Sequence, residues 1–174
     1  VATHRRLAEA NPDRYEPDLA GSLTNLGALL WDVGRVVEAV PATEEAVATY
    51  RRLAEANPDR YEPDLAGSLT NLGFQLSEVG RAKEALPPTQ EAVAIRRRLA
   101  ETNPDRYEPG LANSLSGLGH RLEGLGHRSR AIAVLRESAA VYERVVHRNE
   151  ARYRDESQRV LTFLRRLEGE PDTA

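Results

Sequence analysis

RRLAEANPDRYEPDLAGSLTNLG, Arg5 to Gly27, returns letter for letter from Arg51 to Gly73 and again as RRLAETNPDRYEPGLANSLSGLG from Arg97 to Gly119. The copies open at Arg5, Arg51 and Arg97, a step of 46 residues, and self-similarity at a fixed period of this size marks an array of structural repeats. Gly34, Gly80 and Gly126 keep the step, as do Tyr15, Tyr61 and Tyr107, and Leu26, Leu72 and Leu118. The register runs past the obvious copies. Val1-Ala2-Thr3-His4 matches Val47-Ala48-Thr49-Tyr50, and Asn149, Arg152, Tyr153, Leu161 and Leu164 stand one period after Asn103, Arg106, Tyr107, Leu115 and Leu118.

Within a repeat, Leu19, Leu23, Leu26, Leu30 and Val33 recur at spacings of three and four, one face of a helix, termed here helix A. Pro17 and Asp18 suit its first turn, and Gly34 its left-handed stop. A second amphipathic run through Val36, Ala39, Val40, Thr43, Ala46, Val47, Tyr50, Leu53 and Ala54 is helix B, which the restriction before Pro58 ends near Asn57. Asn57 to Glu62 then reads as the turn into the next helix A. Pro41 and the pair Pro87-Pro88 fall several residues into helix B, so a kink or a disrupted first turn is expected there. Ala133 stands at the first of these positions in the third repeat. No period-2 segment competes, so the expected class is all-α. The reading is one domain over 1–174: a helix B fragment at 1–10, repeats at about 17–57, 63–103 and 109–148, and a C-terminal capping helix at about 155–168.

Composition narrows the chemistry. The chain of 174 residues is 40% hydrophobic with a formal net charge of −3 and a pI near 5.9. That balance does not give the basic stripe of a nucleic-acid surface, and no apolar stretch approaches a membrane span. A cytoplasmic protein without nucleic-acid or membrane partners is expected. Cysteine is absent, which removes disulfides, thiolate ligands and cysteine nucleophiles. Lys83 is the sole lysine, between Ala82 and Glu84, so no phosphate-binding Gly-x-x-x-x-Gly-Lys loop exists. Arginine- and alanine-rich usage points to a bacterial genome.

Read in order, Leu23, Leu26-Gly27, Leu30, Gly34, Glu38-Ala39 and Ala46 resemble the tetratricopeptide repeat, in the longer-period form of kinesin light chains and many bacterial signalling proteins. The resemblance implies a right-handed superhelical solenoid of antiparallel helix pairs. It makes Gly27 and Gly73 the close-approach glycines of helix A, and Ala39, Ala85 and Ala131 the small residues of helix B. It also implies a concave groove lined by helix A, binding a peptide or protein segment: Thr24, Asn25, Ala28, Trp31 and Asp32; Thr70, Asn71, Phe74, Ser77 and Glu78; Asn113, Ser116, His120 and Glu123. In related arrays asparagines such as Asn25 and Asn71 hold a peptide backbone, and Gly117 breaks that pattern in the third copy. Just beyond the identical blocks Ala28 becomes Phe74, Trp31 becomes Ser77 and Asp32 becomes Glu78, so variation falls where a groove would be read.

Other constellations are weaker. His120, Glu123 and His127 would share a helix face, but Gly124-Leu125-Gly126 interrupts it and no further ligand is fixed, so solvated or groove-lining side chains are expected and no metal. Arg96-Arg97-Arg98 reads as a solvated helix B face near Glu91 and Glu101, and the repeated tyrosines as packing of the turns. No base, nucleophile or cofactor motif rises above the repeat, so an enzyme is not expected. Two alternatives to a peptide-binding scaffold stand beside it. One is an array that self-associates through the N-terminal helix, whose sequence shows no cap, as in a fragment or one end of a longer array. The other is the spacer or sensor arm of a larger signalling ATPase.

Overall fold

The structure, a computed structural model, describes residues 1–169. All regular structure among them is helical: α1 Ala2–Ala10, α2 Pro12–Asp32, α3 Val36–Ala56, α4 Pro58–Glu78, α5 Ala82–Thr102, α6 Pro104–Gly124, α7 Arg128–Arg148 and α8 Glu150–Glu168. The even-numbered helices are the A helices and the odd-numbered ones the B helices. The chain divides within α5 into two compact units, Val1–Ala92 and Val93–Ala174. In the first, α1, α2, α3 and α4 pack in chain order and α2 also touches α4; in the second, α6, α7 and α8 do the same in sequence.

The A helices begin five residues before the positions expected from Pro17, Pro63 and Pro109. The cause is a better cap. The Asn11, Asn57 and Asn103 side chains accept from the amides of Arg14, Arg60 and Arg106 at 3.3, 3.3 and 3.1 Å, and proline follows each asparagine where its missing N–H costs nothing. Asn57 to Glu62 is therefore no turn; Asn57 alone separates α3 from α4. Asn149 repeats the cap on Arg152 at 3.3 Å without a proline. Of the kink or disrupted first turn expected at the helix B prolines, the disrupted first turn is absent. Helix runs unbroken through Pro41 and through Pro87-Pro88, so no first turn is lost. Each lies within the first two turns, where a missing N–H forfeits a bond only to a carbonyl near the helix start, which can tilt toward solvent.

The A-to-B turns are closed as the glycines require. Gly34, Gly80 and Gly126 have φ of 77°, 80° and 80°, and the following amides of Arg35, Arg81 and His127 reach back to Leu30, Leu76 and Leu122 at 2.8 Å each. Leu19, Leu23 and Leu30 enter the core with Ala39, Ala46 and Val47, whereas Val33 lies beyond the end of α2 and stays 69% exposed. Gly27 meets helix B closely, because a Cβ there would overlap the Thr43 hydroxyl and come 3.3 Å from the Ala39 carbonyl oxygen. Ala39, Ala85 and Ala131 are wholly buried, in keeping with the small-residue positions.

Charged side chains repeat with the same step. Arg5 pairs with Glu45 at 2.6 Å, Arg51 with Glu91 at 2.5 Å and Arg97 with Glu137 at 2.6 Å. These are exposed links between successive B helices, worth under about 1 kcal/mol each. The Arg96-Arg97-Arg98 run is consequently not one solvated face: Arg97 belongs to this ladder, while Arg96 turns inward and donates to the Gly110 carbonyl at 2.6 Å and Ser114 Oγ at 2.9 Å. Arg14, Arg60, Arg106 and Arg152 lie over the rings of the tyrosines that follow them, at 5.1 to 5.2 Å.

Among the described residues one carboxylate is buried. Glu108 accepts from Arg144 at 2.7 Å and also from Arg148. Burial opposes its charge, but the hydrogen bonds from Arg148 and Arg144 prevail and hold its pKa below the ordinary 4.5. A depressed folded-state pKa adds stability above the unfolded value and loses it as pH falls through the folded one. Glu108→Gln is expected to cost about 1 to 2 kcal/mol at neutral pH, discounted because both arginines remain partly solvated. Thermal melts of both proteins from pH 7 to pH 3 check this: the gap in Tm closes below about pH 4.5.

Candidate functional site

Spacings of three and four place Asp18, Gly21, Asn25, Ala28 and Asp32 on one stripe of α2, and Asp64, Gly67, Asn71, Phe74 and Glu78 on the matching stripe of α4. Nearly all of these positions are exposed, and the glycines half-buried, while Leu19, Leu23 and Leu30 face the core. Trp31 flanks the first stripe and meets Phe74 of the second edge-on, ring centroids 5.2 Å apart and planes at 67°. Phe74 is still 45% exposed, so the pair leaves aromatic surface facing solvent. Asn25 and Asn71 point outward with no hydrogen-bond partner among the described residues, which leaves each amide a donor and an acceptor.

The threonines behave differently. Thr24 donates to the Ala20 carbonyl at 3.1 Å and lies 3.0 Å from Ser68 Oγ, and Thr70 donates to the Ala66 carbonyl at 2.8 Å, so both are half-buried and engaged within the repeats. Ser77 is half-buried at the position of Trp31. Below the stripe, the Tyr50 hydroxyl comes 3.6 Å from where a Cβ of Gly21 would stand. Burial, with the nearby Asp64 carboxylate adding, pushes Tyr50 up to about 12, so it remains a neutral phenol.

In the second unit the expected residues are Asn113, Ser116, His120 and Glu123 on α6. Asn113, His120 and Glu123 are exposed, Ser116 is half-buried, and His120 Nδ1 donates to the Ser116 carbonyl at 2.9 Å. Three residues that the sequence reading left out join them from α8. Phe163 stacks on His120, centroids 4.1 Å apart and planes at 15°, and the Arg166 guanidinium covers Phe163 at 4.7 Å. Arg159, Phe163 and Arg166 stand one period after Asn113, Gly117 and His120, so the 46-residue register carried the signal for them. With Asp155, Gln158 and Thr162 they line an open depression of about 590 Å³. Among the described residues no group of three or more His, Cys, Asp or Glu side chains is placed to hold a metal ion.

Consecutive helical hairpins with a solvent-facing stripe on each A helix define a protein-interaction scaffold. The family model for the tetratricopeptide repeat matches residues 19–59, 65–105 and 111–149, more than half of the chain, and the chain belongs to that family. Among solved structures it is similar to a kinesin-light-chain-like protein of nearly identical TPR-like repeats from Podosopora anserina (TM-score 0.61, 21% identity, 98% of this chain and 86% of that one). It is also similar to MamA (TM-score 0.51, 17% identity, 95% of this chain and 85% of that one). At these identities the likeness concerns the fold. A comparison with curated protein sequences finds no match. No described helix is long and apolar enough to cross a membrane.

Proposed function

We propose that the chain binds an extended peptide segment of a partner protein along the A-helix stripes. The observation that carries this is the Trp31–Phe74 pair, an edge-to-face aromatic contact left on the surface of two helices that each carry an exposed asparagine. Aromatic groups packed against each other lose little further entropy on binding and supply large contact area, which is why such residues anchor interfaces. Asn25 and Asn71 would meet a ligand backbone through both donor and acceptor groups. In the second unit Phe163 is buried against His120 and the Arg166 guanidinium, so that surface presents an imidazole and a guanidinium rather than a free phenyl face.

The test is a combined Trp31→Ala, Asn71→Ala and Phe74→Ala variant, compared with the unaltered chain for capture of peptides from a random display library. Loss of capture with an unchanged circular-dichroism melt supports the reading. Retained capture by the triple variant would show that these stripes are not where peptides bind.

A further inference from the structure

The two stripes of the first unit carry Asp18 and Asp32, then Asp64 and Glu78, and no cation. The ion pairs seen within that unit instead use Glu16, Glu38, Glu44, Glu45, Glu84 and Glu91, with Arg5, Arg35, Arg51, Arg52 and Arg81 as their cations. The four stripe carboxylates take part in no ion pair among the described residues. Two of them also stand where a helix resists them. Asp32 and Glu78 are the last residues of α2 and α4, at the negative end of the macrodipole, and neither last turn contains a basic residue.

A further acceptor lies between the stripes. Gln75, 3% exposed beside Phe74, donates through Nε2 to the Gly27 carbonyl at 3.4 Å, and its Oε1 is buried with no donor. The charged groups on these two stripes are thus carboxylates alone, set on the same helices as an exposed aromatic pair and the amides of Asn25 and Asn71. The matching stripe of α8 in the second unit is mixed instead, with Glu156, Arg159 paired to it at 3.8 Å, and Arg166 over Phe163.

Resting on the peptide-binding reading above, we infer that the acidic stripes of α2 and α4 dock a basic segment of a partner protein. Its arginine or lysine side chains meet Asp18, Asp32, Asp64 and Glu78 and lie against the Trp31–Phe74 rings. Guanidinium groups supply several donors and stack on aromatic faces, which matches both halves of the surface. Charge complementarity of this kind governs association rate and partner choice, and it weakens with salt.

Trp31 is the sole tryptophan, so its emission reports on this surface directly. The full chain is titrated with three libraries of twelve-residue peptides, each randomised except for four fixed arginines, four fixed glutamates or four fixed serines. A shift of Trp31 emission with the arginine library alone, weakened by salt and about tenfold weaker in an Asp32→Asn, Glu78→Gln variant, supports the inference. That variant is expected to melt at a higher temperature, since it removes two charges from helix C-termini, and so separates a binding role from a structural one. Equal or tighter binding of glutamate or serine peptides overturns the basic-partner inference and leaves peptide binding standing. Arginine-peptide binding unchanged in the variant also overturns it. No response to any library overturns the peptide-binding reading with it.

Discussion

Gly119→Ala is expected to destabilise the protein by about 2 to 3 kcal/mol, although alanine is the better helix former by about 1 kcal/mol. A Cβ at Gly119 would stand 2.6 Å from Leu135 Cγ and 2.7 Å from Cδ2, and Leu135 is wholly buried in α7. The new methyl cannot be relieved by a side-chain swing into solvent, so α6 and α7 must separate or Leu135 must leave its rotamer. Gly27→Ala meets Thr43 and the Ala39 carbonyl at the corresponding positions of the first repeat. Thr43 is 1% exposed and donates to that same carbonyl at 3.1 Å, and its branched side chain has little freedom in a helix. Thermal melts check both, and two companions fix the cause. Leu135→Ala is itself costly, but within that background Gly119→Ala should cost less than it does in the unaltered chain, because the overlapping atoms are gone. Gly67→Ala, where nothing lies within 4 Å of the added Cβ, should instead stabilise by about 0.5 to 1 kcal/mol. A uniform response of the three glycines would remove helix–helix proximity as the explanation.

Those glycines also show what made the fold readable. A repeated 23-residue string leaves few ways to misplace a helix, and Gly34, Gly80 and Gly126 mark the A-to-B turns by a conformation other residues rarely adopt. The helix starts were misread because two prolines compete for the same role. Pro17 satisfies the first-turn rule, yet Asn11-Pro12 satisfies it better, with a side-chain acceptor one residue ahead, and a proline at the sixth position proved compatible with the helix. Pro41 and Pro87-Pro88 teach the same lesson: the penalty for interior proline depends on how near the helix start it falls.

The site was half legible. Periodicity places Asn25, Asn71, Phe74 and Glu78 on exposed faces, but it cannot say that Thr24 and Thr70 turn their hydroxyls to the carbonyls of Ala20 and Ala66. Nor does residue type reveal α8, where the stripe continues with Phe163 in place of asparagine and Arg166 in place of phenylalanine or histidine. The 46-residue register points to those positions where resemblance between residues does not, although the reading of the sequence did not draw on it there. The contrast in charge emerges only when stripe residues are separated from the glutamates already engaged by arginine, which requires the geometry of every pair.

Trp31→Ala alone should weaken peptide capture about 30- to 1,000-fold, equivalent to roughly 2 to 4 kcal/mol, while shifting Tm by no more than about 3 °C. The asymmetry follows from where the indole sits. Trp31 is half-buried near the end of α2, packed by Leu30, Ala39 and Ala42 on one side and by the edge of Phe74 on the other. Removing it trims a margin of the core, and the residues beneath it remain covered by Leu26 and Leu30. A peptide lying on the stripe loses its largest contact area and the ring that holds Phe74 in place. Phe74→Ala should then add little to Trp31→Ala, because the two rings act as one platform and paired residues are not additive. Asn71→Ala should cost about 1 kcal/mol independently, the worth of one amide–backbone contact. Isothermal titration calorimetry on the single and double variants reads both numbers without a tryptophan signal. Additive losses from Trp31 and Phe74 would mean that each ring contacts the ligand separately, and the edge-to-face pair would then be a feature of the free protein alone.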